Sequence, residues 1–434
     1  MGSHASRLAI NGGTPVRTRP WPAPYYGASL LGEEELALLA EVIAARSPFR
    51  AYGEGVPHMV DDFEREACAY FGTRYALATA TGSGSFYCAM AGLGVGPGDE
   101  VIIPSFGWYT AFEAPVMLGA TPVFADIDRT LNLDPDDFAR KITPRTKAVI
   151  NIYFQGGTND VGRVLEIARR HDVKVVEDCA QACGTRYQGR PVGSLGDIGC
   201  FSLQQNKIIS TGDGGFLLTN DPLVFERAGR FHDLGFLRPA LTGQLGGDGV
   251  VGSFCGGQWR MNEFTGAVAR AQLRKLESQV LNTTRRHCQH IRQRIAAECP
   301  GLRFRESGDP AGDAGIVLGL DLELPERAEW MARAASAEGI RIGPASGCKN
   351  LLRDPLVQQR RMAHPALPPF GPGCPGEHVS YTPELCPNTD AIAASVLMTV
   401  ISPMLTDADA DDIARAVIKV WQGRPAAEAG GTKR

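Results

Sequence analysis

The chain has 434 residues, 44% hydrophobic and 21% charged, with a formal net charge of −4. That length suits two or three domains around a large buried core. With no basic surplus and no run near ~18 consecutive apolar residues, neither nucleic-acid binding nor a membrane span is expected.

Residues 1–4, Met-Gly-Ser-His, read as a cloning scar, so His4 is set aside, and no signal peptide is recognisable. Residues 1–30 read as an N-terminal arm, rich in Pro, Gly and Arg from residue 5. A helix is predicted over 33–45, where Leu36, Leu39, Val42 and Ile43 recur at three-to-four spacing. Short apolar strands then alternate with helical segments, at 75–78, 100–104, 121–126, 148–153, 173–177, 199–203 and 215–219. Apolar runs without one wet face argue for an α/β fold with a mainly parallel sheet covered on both sides. A long helical stretch follows over 265–299, then a strand at 316–322 and a closing helix at 407–421. The division expected is a large α/β domain over 31–275, a smaller α+β domain over 276–423, and a disordered tail over 424–434. The eleven cysteines are scattered without Cys-x-x-Cys spacing and read as reduced thiols, which points to the cytoplasm.

The candidate chemistry gathers at predicted strand ends, where open parallel sheets bind ligands. Only eight lysines stand against thirty-six arginines, and Lys207 follows the strand at 199–203. A lysine there is either an ordinary loop cation or a nucleophile facing an aldehyde. Asp178 precedes it by 29 residues at the end of another buried strand. It serves either as a helix cap or as the acid that keeps a pyridine nitrogen protonated. Thr79-Ala-Thr-Gly-Ser-Gly-Ser opens a helix expected over 86–93, and Gly82 and Ser83 there suit either a phosphate or a plain cap. Trp108, beyond the strand at 100–104, suits ring stacking, or packing in the core or at an interface. Ser202 and Arg260 are further phosphate candidates. The glycines at 94–98 follow a helix and precede a strand, the wrong order for a dinucleotide loop, so a nicotinamide dehydrogenase is excluded. His287, Cys288 and His290 lie on the Arg-rich helix and read as an exposed face rather than a metal site.

Residues 176–182 (Val-Glu-Asp-Cys-Ala-Gln-Ala), 192–207 ending in Phe-Ser-Leu-Gln-Gln-Asn-Lys, and 212–215 (Gly-Asp-Gly-Gly) resemble the DegT/StrS family of sugar and aminocyclitol aminotransferases. Residues 91–103, 118–128 and 260–263 match in the same order, and the opening at 8–17 is similar to members that aminate keto-cyclitols and keto-sugars. The resemblance implies an aspartate-aminotransferase-like fold (fold type I) and pyridoxal 5'-phosphate (PLP) as cofactor. It implies Lys207 as the Schiff-base lysine and Asp178 as the partner of the ring nitrogen. Gln181 would lie on the ring's hydroxyl side and Trp108 over its face. Gly82, Ser83 and Ser202 would hold the phosphate, with Arg260 reaching across from a neighbouring subunit of a homodimer. The reaction implied is ping-pong transfer of an amine from glutamate or glutamine to a keto-sugar or keto-cyclitol, in secondary-metabolite assembly.

The chain departs from the family pattern at 151–160. There Asn-Ile-Tyr-Phe-Gln-Gly-Gly-Thr-Asn-Asp replaces the usual His-x-Tyr-Gly-x-Pro-x-Asp-Met-Asp. Because this segment ends a strand, it is expected beside the substrate mouth. The change fits a different acceptor, or else another PLP reaction such as dehydration, epimerisation or lyase chemistry. A regulatory homologue without turnover is a further reading, disfavoured by the presence of both Lys207 and Asp178. The loops at 237–257 and 346–377 are expected to choose the acceptor.

Overall fold

Seven strands form the central sheet of the structure, a computed structural model that describes residues 7–345 and 347–425. In spatial order they are Tyr75–Thr79, Gly215–Thr219, Ile198–Ser202, Lys174–Asp178, Thr146–Ile152, Glu100–Pro104 and Thr121–Ala125. Gly215–Thr219 runs antiparallel to both its neighbours, while the strands from Ile198–Ser202 to Thr121–Ala125 pair in parallel. Strands such as Tyr75–Thr79, Glu100–Pro104 and Gly215–Thr219 are buried along their whole length, because helices cover both faces. Val161–Arg170 illustrates how those helices are built. The Asp160 carboxylate accepts the Arg163 N–H at its start, and Val161, Val164, Ile167 and Ala168 face inward. Arg169 and Arg170 in its last turn complement the helix dipole.

A second sheet, ordered Arg303–Phe304, Val317–Asp321, Val396–Val400 and Gly343–Pro344, is antiparallel. Helices Asn282–Glu298, Pro325–Ala337 and Asp407–Gln422 pack around it through Ile291, Ile295, Leu318, Leu320, Ile413 and Val417. The helical stretch expected over 265–299 is three pieces: Glu263–Lys275, a π-helical turn Leu276–Leu281, and Asn282–Glu298. The arm packs against this second unit. Leu8 enters its core, and the buried Arg17 guanidinium meets Asp409 at 2.7 Å and Asp412 at 3.0 Å.

The region beyond residue 276 also reaches back over the first sheet. Leu351, Leu352, Tyr381 and Cys386 lie in the core of the larger unit. The Tyr381 hydroxyl donates to the Pro122 carbonyl at 2.8 Å, and the Asn388 N–H to Asp126 at 2.9 Å. The loops expected at 237–257 and 346–377 contain short helices, Pro239–Leu245 and Pro355–Gln359. Arg424, the first residue of the expected tail, packs its guanidinium 3.9 Å from the centre of the Trp421 ring. Residues 426–434 lie outside the described residues, as do the scar and His4. Among the described residues no helix is long and apolar enough to cross a membrane. His287 and His290 pair with Asp407 and Asp411 on the closing helix, and Cys288 is buried.

Candidate active site

The carboxyl edge of the parallel strands carries the candidate chemistry. Asp178 ends Lys174–Asp178 and Ser202 ends Ile198–Ser202. Lys207 follows in a turn closed by its own N–H to the Gln204 carbonyl at 2.9 Å. The Lys207 ammonium has no hydrogen-bond partner among the described residues. Burial lowers its pKa, and the charge of nearby Asp178 pulls the value partly back. Asp178 is only 9% exposed, and its carboxylate accepts one hydrogen bond, from the Ala180 N–H at 3.0 Å. Burial raises its pKa to about 6, against the pull of that N–H and of Lys207. The pair is therefore an amine that sheds its proton more readily than usual beside an under-bonded carboxylate.

The cradle lies across the edge strands. The Thr81 hydroxyl caps the helix Gly82–Gly92 by accepting the Gly84 N–H at 2.9 Å, which leaves the first N–H groups without intrahelical partners. A Cβ on Gly82 would lie 2.7 Å from the Ser202 Cβ, so only glycine lets Ser202 approach this helix start. The Ser83 hydroxyl meets that of Thr110 at 3.0 Å. Gly82, Ser83 and Ser202 thus make a cradle of hydroxyls and free N–H groups, suited to an anion. Trp108 caps the next helix, Tyr109–Met117, and is 55% exposed, which excludes core packing.

Gln181 is clamped from both ends. Its carbonyl accepts the Gln155 N–H at 3.2 Å, and its amide nitrogen donates to the Cys348 sulfur at 3.4 Å. Cys348 lies within electrostatic reach of both Asp178 and Lys207, and burial pushes its thiol up to about 12. Thr110, Gln155 and Cys348 were not foreseen from the sequence. Gln155 has a left-handed backbone, φ 48°, and Cys348 arrives from the far side of the chain, so neither carries a local signal.

Arg260, expected to serve a neighbouring subunit's site, lies apart from the group around Lys207 in this chain. Its backbone bridges Thr79, its guanidinium pairs with Asp233, and it lines a separate cavity of about 190 Å³ with Arg50, His232 and Arg238. The segment 151–160 is buried except at Gln155 and Asp160, and through Gln155 it borders the candidate site. Asn151 and Asn159, both fully buried, exchange amide hydrogen bonds at 2.9 and 3.2 Å. The Asn132 carbonyl accepts the Phe154 N–H at 2.7 Å, and of this segment it is Gln155 that touches Gln181. Paired amides fold the changed side chains inward, although strand ends usually face the ligand.

Residues 33–340 match the DegT/DnrJ/EryC1/StrS aminotransferase family. The L-glutamine:2-deoxy-scyllo-inosose aminotransferase of Streptoalloteichus tenebrarius is 36% identical over 349 residues, spanning 78% of this chain and 80% of that protein. The enzyme of the same name from Streptomyces kanamyceticus is 36% identical over 374 residues, 83% and 86% of the two chains. The crystal structure of 3-amino-5-hydroxybenzoic acid synthase superposes with a TM-score of 0.75 at 26% identity, covering 95% of this chain and 100% of that one. The fold is that of the fold-type-I PLP enzymes, as the sequence implied. With a matching family model, relatives above one-third identity and a shared fold, the chain belongs to the DegT/DnrJ/EryC1/StrS aminotransferase family and is an aminotransferase.

Proposed function

We propose that this aminotransferase uses PLP to move an amine from glutamine or glutamate to the ketone of a cyclitol or sugar, in cytoplasmic assembly of a secondary metabolite. The observation that carries the reading is the half-buried Lys207 amine, without a hydrogen-bond partner among the described residues, beside the under-bonded Asp178. Lys207 would hold the cofactor's aldehyde, Asp178 its ring nitrogen, and Gly82, Ser83 and Ser202 its phosphate, with Gln181 and Trp108 beside the ring. When bound, PLP supplies an electron sink for the carbon that loses or gains a proton. Lys207, its pKa lowered by burial, is suited to take and return that proton. Asp178, held charged by an opposite charge on the ring nitrogen, keeps that nitrogen protonated. The close fit of Gly82 against Ser202 fixes the cradle before any anion arrives.

The relatives' names favour glutamine as donor and a keto-cyclitol as acceptor. The inward-facing Asn151 and Asn159 remove the main ground for a different PLP reaction. Residues 31–275 would form the cofactor-binding domain and 276–423 its cover, working as a homodimer with Arg260 turned toward the neighbour's site. The eleven free cysteines fit a reducing cytoplasm. Purified protein should be yellow, and L-glutamine or L-glutamate should bleach the visible band to one in the near ultraviolet. A yellow protein whose band ignores both donors and other common amino acids would sink the transamination reading.

A further inference from the structure

Cys348 occupies a place in the site that no sequence motif marks. The segment that carries it is fastened beside it. Lys349 and Asn350 pair antiparallel with Gly107 and Phe106, directly before Trp108. The Leu351 N–H donates to the Ser105 carbonyl at 2.8 Å, and the Lys349 ammonium holds Asp354 at 2.6 Å and meets the Tyr109 hydroxyl. The sulfur is thus delivered to Gln181 by a strap tied to the larger unit.

The geometry at Gln181 leaves one arrangement of its amide. The Gln155 N–H needs an oxygen acceptor, so the Gln181 carbonyl faces it and the NH2 group faces Cys348. A flipped amide would set N–H against N–H. A primary amide has two N–H bonds, and once sulfur takes one, the direction of the second is fixed. Burial keeps the Cys348 thiol protonated, so the strap brings an acceptor to Gln181, close to Asp178 and Lys207, without adding a negative charge.

We propose that Cys348 is a positioning residue of the cofactor site: its sulfur accepts one Gln181 N–H and thereby aims the other at the cofactor. This rests on the PLP reading of the site. The test is titration of apoprotein with PLP for wild type, Cys348→Val and Cys348→Ser. It is joined by the pH midpoint of the resting holoenzyme's visible band and the melting temperature of each apoprotein. Cys348→Val fills similar space without an acceptor and should weaken PLP binding ~3- to 10-fold and move the midpoint. Cys348→Ser restores an acceptor and should stay within about twofold of wild type. In a Gln181→Ala background, Cys348→Val should add no further loss. Wild-type-like binding and midpoint in Cys348→Val would overturn the proposal alone. So would a Cys348→Ser as impaired as Cys348→Val with both apoproteins melting lower, since that marks a packing role. Wild-type protein that takes up no PLP would overturn this proposal and the cofactor reading together.

Discussion

The two sides of the strand Lys174–Asp178 hold neighbouring carboxylates under opposite conditions. Glu177 is fully buried and saturated: its two oxygens accept the N–H groups of Gly193, Leu195 and Gly196 and the Tyr153 hydroxyl, at 2.7–2.8 Å. Asp178, one residue on and therefore on the opposite face, accepts a single N–H. Burial raises the pKa of both. The difference lies in what remains to be bonded. Glu177 has spent its lone pairs fixing the loop before Ile198–Ser202, whereas Asp178 and Lys207 keep capacity for something outside the chain. In this fold an incomplete set of hydrogen bonds separates the carboxylate proposed for the chemistry from the structural one.

Substitutions can break that contrast at three levels. The largest effect belongs to Lys207→Ala, which should lower turnover about a thousandfold or more while the apoprotein melts no lower than wild type. A substantial loss of apoprotein stability would make Lys207 structural. Next comes Glu177→Gln, whose NH2 group would face N–H donors that now meet oxygen. Urea unfolding should register a loss of about 2–5 kcal/mol, and an unchanged midpoint would contradict the saturated role. The smallest effect is Asp178→Asn in the apoprotein. A carboxyl whose folded pKa is about 6, against an ordinary 3.8, disfavours the fold once it ionises. The penalty is present above pH 6, shrinks as pH falls, and is gone below 3.8. The asparagine variant should therefore gain at most about 3 kcal/mol at pH 8, the attraction of Lys207 being already contained in that pKa. That gain should fade in acid even though turnover is crippled; a gain equal at both pH values would exclude ionisation as its cause.

Much of this site was legible because it is local. Asp178, Ser202 and Lys207 sit within a few residues of strand ends, Gln181 came only with the family resemblance, and the strand positions followed from unbroken apolar runs, with ends displaced by at most two residues. For example, a strand expected over 148–153 is Thr146–Ile152. What could not be read depends on side chains meeting across the chain. The Asn151–Asn159 pair turns a strand end inward, and the Lys349–Asn350 pairing delivers Cys348. The break at Leu276–Leu281 in the long helix escapes as well, since a π-helical turn keeps the apolar spacing close to that of its neighbours.

The sheet order has a consequence for how the chain assembles. Tyr75–Thr79, first of the seven strands in sequence, has Gly215–Thr219, the last, as its neighbour in the sheet, and Ser202 reaches Gly82 across that same strand. A growing chain that has not yet emerged through Thr219 lacks the piece that ties its first strand to the rest of the sheet. The cradle is thus a late, long-range product of folding, slow to close by the rule that distant pairings cost the most chain entropy.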